Sequence, residues 1–124
     1  ISSAASDVYK RQVGDDSKAY RYLKRAALID LLNLQKNTRE GIHAANAGGV
    51  WQTIVFGFAG VSIGKDGILN VKPNMPKEWS SLTFRLHYDN AWLEIRTDGN
   101  NQAEVRRLDG APVGIWINGE KKEI

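Results

Sequence analysis

The feature that most constrains the fold is a change in the spacing of apolar residues near the sequence GFAG at residues 57–60. Before this point apolar residues recur every three or four positions, which is the spacing of an amphipathic helix. After it they recur at every second position, which is the spacing of a half-buried strand. The chain is therefore predicted to be α+β, with helices in residues 13–59 and strands in residues 60–124.

The first helix is predicted over residues 15–34, with Asp16 or Ser17 as its N-cap. Its buried face is predicted to contain Ala19, Tyr22, Leu23, Ala26 and Ala27. Asp30 lies on the continuation of this apolar face. Because an unpaired buried carboxylate is costly, we expect Asp30 to find a partner, as a cap for a neighbouring loop rather than as a catalytic acid.

The second helix is predicted over residues 46–58 and is apolar on most of its circumference, which indicates burial. Its apolar stripe is Trp51, Ile54, Val55 and Phe58. The first-turn amides, near Asn46 to Gly49, are expected to lack intrahelical partners. Gly48 and Gly49 leave room for a ligand, so this helix start is predicted to favour an anion.

The strands of the second half are short and separated by tight-turn sequences at Lys65–Gly67, Asp89–Asn90 and Asn118–Gly119. Their inward-facing residues are predicted to be Leu82, Phe84, Leu86, Tyr88, Leu93, Ile95, Val113, Ile115 and Ile117. We expect a small antiparallel, sandwich-like assembly. Two helices cannot cover an apolar second helix, so the chain is interpreted as the end of a larger protein.

Composition narrows the classes of function. The net charge is +3 and the basic residues are scattered, so no nucleic-acid partner is expected. The chain has no cysteine, no apolar run of membrane-spanning length and no spacing typical of a metal site, so neither a membrane nor a metal is expected. Residues 1–12 lack periodicity and begin with Ile1, and we interpret them as a leader foreign to the fold or disordered.

Three sequence motifs, in order, resemble the C-terminal part of glycoside hydrolase family 65, the family of the maltose, kojibiose, nigerose and trehalose phosphorylases and some hydrolases. The resemblance covers residues 14–99. The motifs are H-x-x-x-x-G-G-x-W, beginning at His43, then G-F-x-G, beginning at Gly57, then L-x-x-x-P-x-x-P-x-x-W, beginning at Leu69.

The resemblance implies that the two helices are the last ones of an (α/α)6 barrel and that a β-sheet domain follows. It implies an inverting reaction in which a glutamic acid protonates the leaving oxygen and phosphate, or water in the hydrolases, attacks from the opposite face. The phosphate-binding residues would be His43, Asn46, Gly48 and Gly49. Asn46 stands where many of the phosphorylases have a hydroxyl residue. No cofactor is implied beyond phosphate as co-substrate.

Several alternatives remain open at this level. If the longer protein is a hydrolase, Glu40 is the candidate general base, and otherwise it is a solvated loop carboxylate or the partner of Arg39. The family's general acid lies on segments outside this chain, so the chain alone is expected to be inactive. The resemblance suggests a homodimer acting on an α-linked glucose disaccharide, in the cytoplasm for a phosphorylase or the periplasm for a hydrolase. A separate carbohydrate-binding or structural β-module is the alternative from another class.

Overall fold

The computed structural model describes residues 16–124, so the leader predicted at residues 1–12 lies outside the described part. The chain divides into two compact units, one ending at Gly57 and the other formed by Phe58–Ile124. Helices occupy the first unit and strands occupy the second. This is the α+β order that the change in apolar spacing predicts.

In the described part of the first unit, residues 16–57, two α-helices pack against each other, α1 at Asp16–Ala27 and α2 at Ala44–Gln52. A 3-10 turn at Thr38–Glu40 lies between them, and a π-helical turn at Thr53–Phe58 continues α2. On α1, Ala19, Leu23 and Ala26 are buried, whereas Tyr22 and Ala27 are exposed. The buried stripe is thus narrower than predicted.

Helix α1 is shorter than the sequence predicts, since it ends at Ala27 rather than at residue 34. Turns replace it over residues 28–35, and Asn33 and Lys36 have φ of 48° and 56°. These left-handed residues cannot continue a right-handed helix. Leu31 is 80% exposed, so it gains no packing that would stabilise a longer helix.

Helix α2 begins two residues before its predicted start, and its burial is only partly as expected. Val55 and Phe58 are buried, but Trp51 is 48% exposed and stands edge-on to Phe56 with ring centroids 5.8 Å apart. The π-helical turn has more residues per turn than an α-helix, so it rotates the residues after Gln52 relative to Trp51. Trp51 therefore does not share one stripe with the buried Val55 and Phe58, as the 3.6-residue spacing predicts.

The second unit contains seven strands. They are β1 Val61–Ile63, β2 Leu69–Val71, β3 Ser81–Tyr88, β4 Ala91–Asp98, β5 Ala103–Gly110, β6 Gly114–Ile117 and β7 Glu120–Glu123. One sheet has the order β1-β2-β6-β7 and the other β3-β4-β5. Pairing is antiparallel as predicted, except that β2 and β6 are parallel. A parallel pair needs a long crossover connection, and the chain between β2 and β6 contains the whole second sheet.

The core of this unit comes from the inward positions of both sheets. Val71 and Ile115 are fully buried in one sheet, and Leu93 and Ile95 in the other. The predicted hairpin turns are confirmed, with positive φ at Asp89 and Asn90 and at Asn118 and Gly119. Residues Leu82, Phe84, Leu86 and Tyr88 alternate as predicted but are only half-buried.

Polar contacts join the two sheets and the segments beside them. The Tyr88 hydroxyl on β3 accepts a hydrogen bond from the Leu69 amide at 3.1 Å, and it donates to the Gly67 carbonyl at 3.4 Å. Gly60 has φ +67°, and a Cβ there would stand 1.8 Å from the Lys72 carbonyl oxygen. Only glycine fits this position, which explains the second glycine of GFAG.

Candidate functional site

The candidate site is the connection from α1 to α2, residues 28–43, together with the first two turns of α2. The chain leaves α1 through irregular turns, passes the 3-10 turn and reaches Gly41, whose φ is 112°. It then enters α2 at Ala44, with His43 as the N-cap residue. The connection brings the predicted site residues of α2 next to the end of α1.

His43 is held by one carboxylate at two points. Its main-chain N–H donates to Asp30 Oδ2 over 2.9 Å, and its ring Nδ1 pairs with Asp30 Oδ1. Asp30 therefore caps the loop that leads into α2, as the sequence predicts. That its partner is the histidine of the candidate site was not predicted.

The other ring nitrogen of His43 is also engaged. Its Nε2 lies 3.1 Å from Nδ2 of Asn37, so the amide donates to Nε2 when Nδ1 carries the ring proton. The Oδ1 atom of Asn37 is buried and has no hydrogen-bond partner in the described structure. Nothing in the sequence singles out Asn37, because its role depends on the path of the loop.

The pair of Asp30 and His43 has an electrostatic consequence. The hydrogen bond from the His43 side chain, followed by the one from its backbone, holds the pKa of Asp30 below its ordinary value of 3.8. Asp30 is therefore ionised near neutral pH. The side chains of His43 and Asp30 remain 35% and 25% exposed, so the pair is accessible to a small ligand.

Two groups of Asn46 that could bind an anion already form hydrogen bonds within the chain. Its side-chain amide donates to the carbonyl of Ala26 at the end of α1 over 2.7 Å. Its backbone amide donates to the carbonyl of His43 over 2.9 Å, because α2 begins two residues earlier than predicted. The first-turn amide without a partner in the described structure is instead that of Ala45.

Gly48 and Gly49 lie in the second turn of α2, where amides point to carbonyls four residues earlier. The prediction that the amides of Asn46, Gly48 and Gly49 are free of intrahelical partners is thus wrong for this helix register. Gly48 is exposed, and a Cβ there would meet no atom within 4 Å, whereas Gly49 is buried. Gly48 therefore leaves open space beside the helix start.

Glu40 lies on the exposed surface of the 3-10 turn, three residues before His43. Its amide donates to the Asn37 carbonyl, but its carboxylate forms no ion pair with any residue of the described range 16–124, Arg39 included. It is thus an exposed carboxylate within the candidate site.

Other parts of the described chain offer less. Residues 16–124 contain no group of three potential metal ligands among His, Cys, Asp and Glu. No helix in that range has the length and apolarity needed to span a bilayer. His87 is exposed, and its ring contacts that of Trp92 with centroids 5.3 Å apart. Trp79 contacts Phe58 at 5.3 Å, so it contributes to the packing around the GFAG segment.

Comparison with known proteins identifies relatives that cover this site. Residues 63–124 match the family model described as glycosyl hydrolase family 65, C-terminal domain. A kojibiose phosphorylase of Caldanaerobacter subterraneus subsp. tengcongensis is 40% identical over 111 residues, which is 89% of this chain and 14% of that protein. An alpha,alpha-trehalose phosphorylase of Geobacillus stearothermophilus is 35% identical over 124 residues, which is 100% of this chain and 16% of that protein.

A solved structure described as a candidate kojibiose phosphorylase from the human microbiome is similar to this chain. The TM-score is 0.87 at 27% identity, and the match covers 100% of this chain and 18% of the other. The chain thus spans less than a fifth of the length of the relatives it matches.

Proposed function

Because the chain belongs to glycosyl hydrolase family 65, we propose that it forms the C-terminal part of an inverting α-glucoside phosphorylase. The longer enzyme would convert an α-linked glucose disaccharide and phosphate into glucose 1-phosphate and a free sugar. Support comes from the kojibiose and trehalose phosphorylases, whose similarity extends over both the helices and the strands of this chain.

The observation that carries the proposal is the placement of His43 at the N-cap of α2, fixed through its ring and its amide by Asp30. When Nε2 is protonated as well, an imidazole ring fixed at a helix start supplies a directed donor beside the positive end of the helix dipole. The Ala45 amide adds a second donor, and the open space at Gly48 admits the ligand. Phosphate needs several converging donors of this kind.

These contacts support a separate role for each residue of the proposed phosphate site. With its ring doubly protonated, His43 would donate from Nε2–H to a phosphate oxygen, which takes the place of Asn37. Asn46 would hold α2 on the end of α1 and still offer its second amide hydrogen. Gly48 and Gly49 would provide close approach rather than free amides. The chain's part in the reaction is to hold phosphate for attack opposite the leaving oxygen, while the proton donor belongs to another segment of the longer enzyme.

A hydrolase is the second candidate, and the exposed carboxylate of Glu40 favours it. Without an ion pair to any described residue, Glu40 could accept a proton from an attacking water. The same negative charge would repel phosphate near His43. The two candidates therefore make opposite predictions for a Glu40→Gln variant.

The test uses the kojibiose phosphorylase of Caldanaerobacter with its matching segment exchanged for this chain. We expect cleavage of kojibiose or another α-glucobiose to require phosphate and to yield glucose 1-phosphate. His43→Ala should raise KM for phosphate by roughly tenfold to a hundredfold, since a charge-assisted hydrogen bond to phosphate contributes about 1.5–3 kcal/mol. Glu40→Gln should leave turnover unchanged or improve it. Cleavage that ignores phosphate and is lost in Glu40→Gln would identify a hydrolase instead.

The Gly48→Ala variant separates an effect on phosphate binding from an effect on stability. Alanine is a better helix former than glycine by about 1 kcal/mol, so this variant should be more stable than the original chain. If phosphate approaches α2 at this position, the same variant should bind phosphate more weakly. Gains in both stability and phosphate affinity would contradict the proposed position of phosphate.

The chain alone is expected to be inactive, because the proposed general acid belongs to another part of the enzyme. A titration of the 124-residue chain with glucose disaccharides should leave its tryptophan fluorescence unchanged. Specific binding would favour a separate carbohydrate-binding module. For the longer enzyme we propose a homodimer in the cytoplasm, where glucose 1-phosphate is retained.

A further inference from the structure

We propose that Asp30 is a positioning residue that keeps the proton of the neutral His43 ring on Nδ1 and presents Nε2 as the atom that meets the ligand. That the ligand is phosphate rests on the function proposed above. The fixed orientation and tautomer of the ring do not rest on it, because they follow from contacts within this chain.

The carboxylate of Asp30 fixes the position of His43 through two hydrogen bonds. Asp30 Oδ2 accepts the main-chain N–H of His43 at 2.9 Å, and Oδ1 accepts from the ring of the same residue. Two bonds from one rigid carboxylate, one to the backbone and one to the ring, restrict both side-chain torsions of the histidine. Such restraint matters for a ligand contact because a small displacement of a binding group has a large effect on its interaction.

The same carboxylate determines which ring nitrogen of His43 carries hydrogen. Asp30 is ionised near neutral pH because the hydrogen bonds from His43 hold its pKa low. A carboxylate only accepts hydrogen bonds, so the ring nitrogen facing it must carry hydrogen. The neutral imidazole is therefore the Nδ1–H tautomer, and any further proton must bind at Nε2. Asp30 would also offset the positive charge of the doubly protonated ring.

The side-chain amide of Asn37 faces Nε2 of His43. Its amide nitrogen lies 3.1 Å from Nε2, while its Oδ1 is buried without a partner. Rotation of the amide by half a turn would place Oδ1 against an Nε2–H. Asn37 can thus form a hydrogen bond with Nε2 in both protonation states. In the doubly protonated ring, a phosphate oxygen would replace Oδ1 of Asn37 as the acceptor of the Nε2–H hydrogen bond.

The spectroscopic test measures the ring ¹⁵N chemical shifts of both histidines in the 124-residue chain at a pH where the imidazoles are neutral. His43 is expected to be the Nδ1–H tautomer, and Asp30→Asn is expected to lose this preference, because its amide can orient either a donor or an acceptor toward the ring. His87, which faces Trp92, serves as the internal control and should not change.

Asn33→Gly is the control for Asp30→Asn, because it disturbs the same connection without touching the carboxylate of Asp30. It removes the bond from the Thr38 amide to Asn33 Oδ1 in the same connection and keeps the left-handed backbone at φ 48°. It should loosen the connection without changing the tautomer of His43. A His43 ring that is mainly Nε2–H, or that responds equally to Asp30→Asn and Asn33→Gly, would overturn the proposal.

The functional test uses the segment-exchanged phosphorylase described above. Asp30→Asn should raise KM for phosphate on the order of tenfold while kcat changes much less, since a displaced donor weakens binding more than chemistry. Asp30→Glu should restore part of the affinity by returning a carboxylate. If Asp30→Asn changes the tautomer but neither Asp30→Asn nor His43→Ala changes KM for phosphate, the positioning role stands and the proposed function fails. If His43→Ala raises KM and Asp30→Asn does not, the positioning role fails.

Discussion

Asp66 shows at the scale of a single residue how one carboxylate can fix a turn and a distant strand. Its Oδ1 accepts the Ile68 amide at 3.1 Å within the turn between β1 and β2, and its Oδ2 accepts the indole N–H of Trp116 on β6 at 3.0 Å. The bond from Ile68, and then that from Trp116, lowers the pKa of Asp66 from its ordinary value of 3.8. Protonation of Asp66 should therefore weaken both contacts.

The corresponding prediction is a change at Trp116 in acid. A folded-state pKa below 3.8 means that the stabilisation by Asp66 is complete above pH 3.8 and is lost as the pH falls through the lowered pKa. The indole N–H resonance of Trp116 should shift over that interval, and Asp66→Asn should abolish the dependence on pH. An equal shift of the exposed Trp92 indole would indicate global unfolding and contradict the local contact.

Asp30 is a second carboxylate that joins distant parts of the chain, and the sequence alone indicates that it needs a partner. A carboxylate on the apolar side of a helical pattern must have a partner, because an unpaired charge in such a place is costly. The sequence therefore predicts a cap at Asp30 but does not name the residue it binds. His43 follows 13 residues later, and the loop between them brings the two together.

At the scale of secondary structure, local signals located the strands better than they located the helix ends. The strand turns contain residues that tolerate positive φ, such as Asn90 and Gly119, and these signals are independent of distant packing. Helix α1 is different, since Leu28 to Leu34 continue the helical spacing but not the helix. Its end depends on whether those leucines find a surface to pack against.

The turn between β3 and β4 offers a prediction at this scale. Asp89 and Asn90 have φ of 47° and 61°, which is the pattern of a type I′ turn. Glycine adopts this conformation without the steric cost that a side chain imposes. Relief of a steric cost of about 1–2 kcal/mol should exceed the entropy that glycine adds to the unfolded chain, so Asn90→Gly should raise the free energy of unfolding by up to about 1 kcal/mol in urea denaturation. Asn90→Val, with a β-branched side chain at positive φ, should lower it, and the opposite order would contradict the assigned turn.

At the scale of the whole molecule, the two units differ in how well they bury apolar side chains. The strand unit has fully buried residues in both sheets, including Leu93 and Ile115. In the helical unit, the exposed large apolar residues among residues 16–57 are Tyr22, Leu31, Leu32, Leu34, Ile42, Trp51 and Phe56. Stability should therefore be concentrated in residues 58–124.

A matched pair of substitutions tests this difference. Leu31 is 80% exposed and Leu93 is fully buried, so the same chemical change can be made in both environments. Leu93→Ala should reduce the free energy of unfolding by about 2–5 kcal/mol, whereas Leu31→Ala should change it by no more than about 0.5 kcal/mol. Calorimetry or urea denaturation measures both values. Comparable losses would mean that Leu31 is packed in solution.

By itself the sequence determined the α+β order, the turns between strands, the inward strand residues and the family. These depend on apolar spacing, on residues that accept positive φ, and on motifs that can be read over short distances. It also pointed to the segment around His43 as the candidate site.

Only the tertiary structure decided where α1 ends, that β2 and β6 run parallel, and that Asp30 and Asn37 hold the two ring nitrogens of His43. Each of these depends on groups far apart in the chain meeting in space. A hydrogen bond or a packing contact of that kind contributes free energy only after the intervening chain has been placed, so no local pattern encodes it.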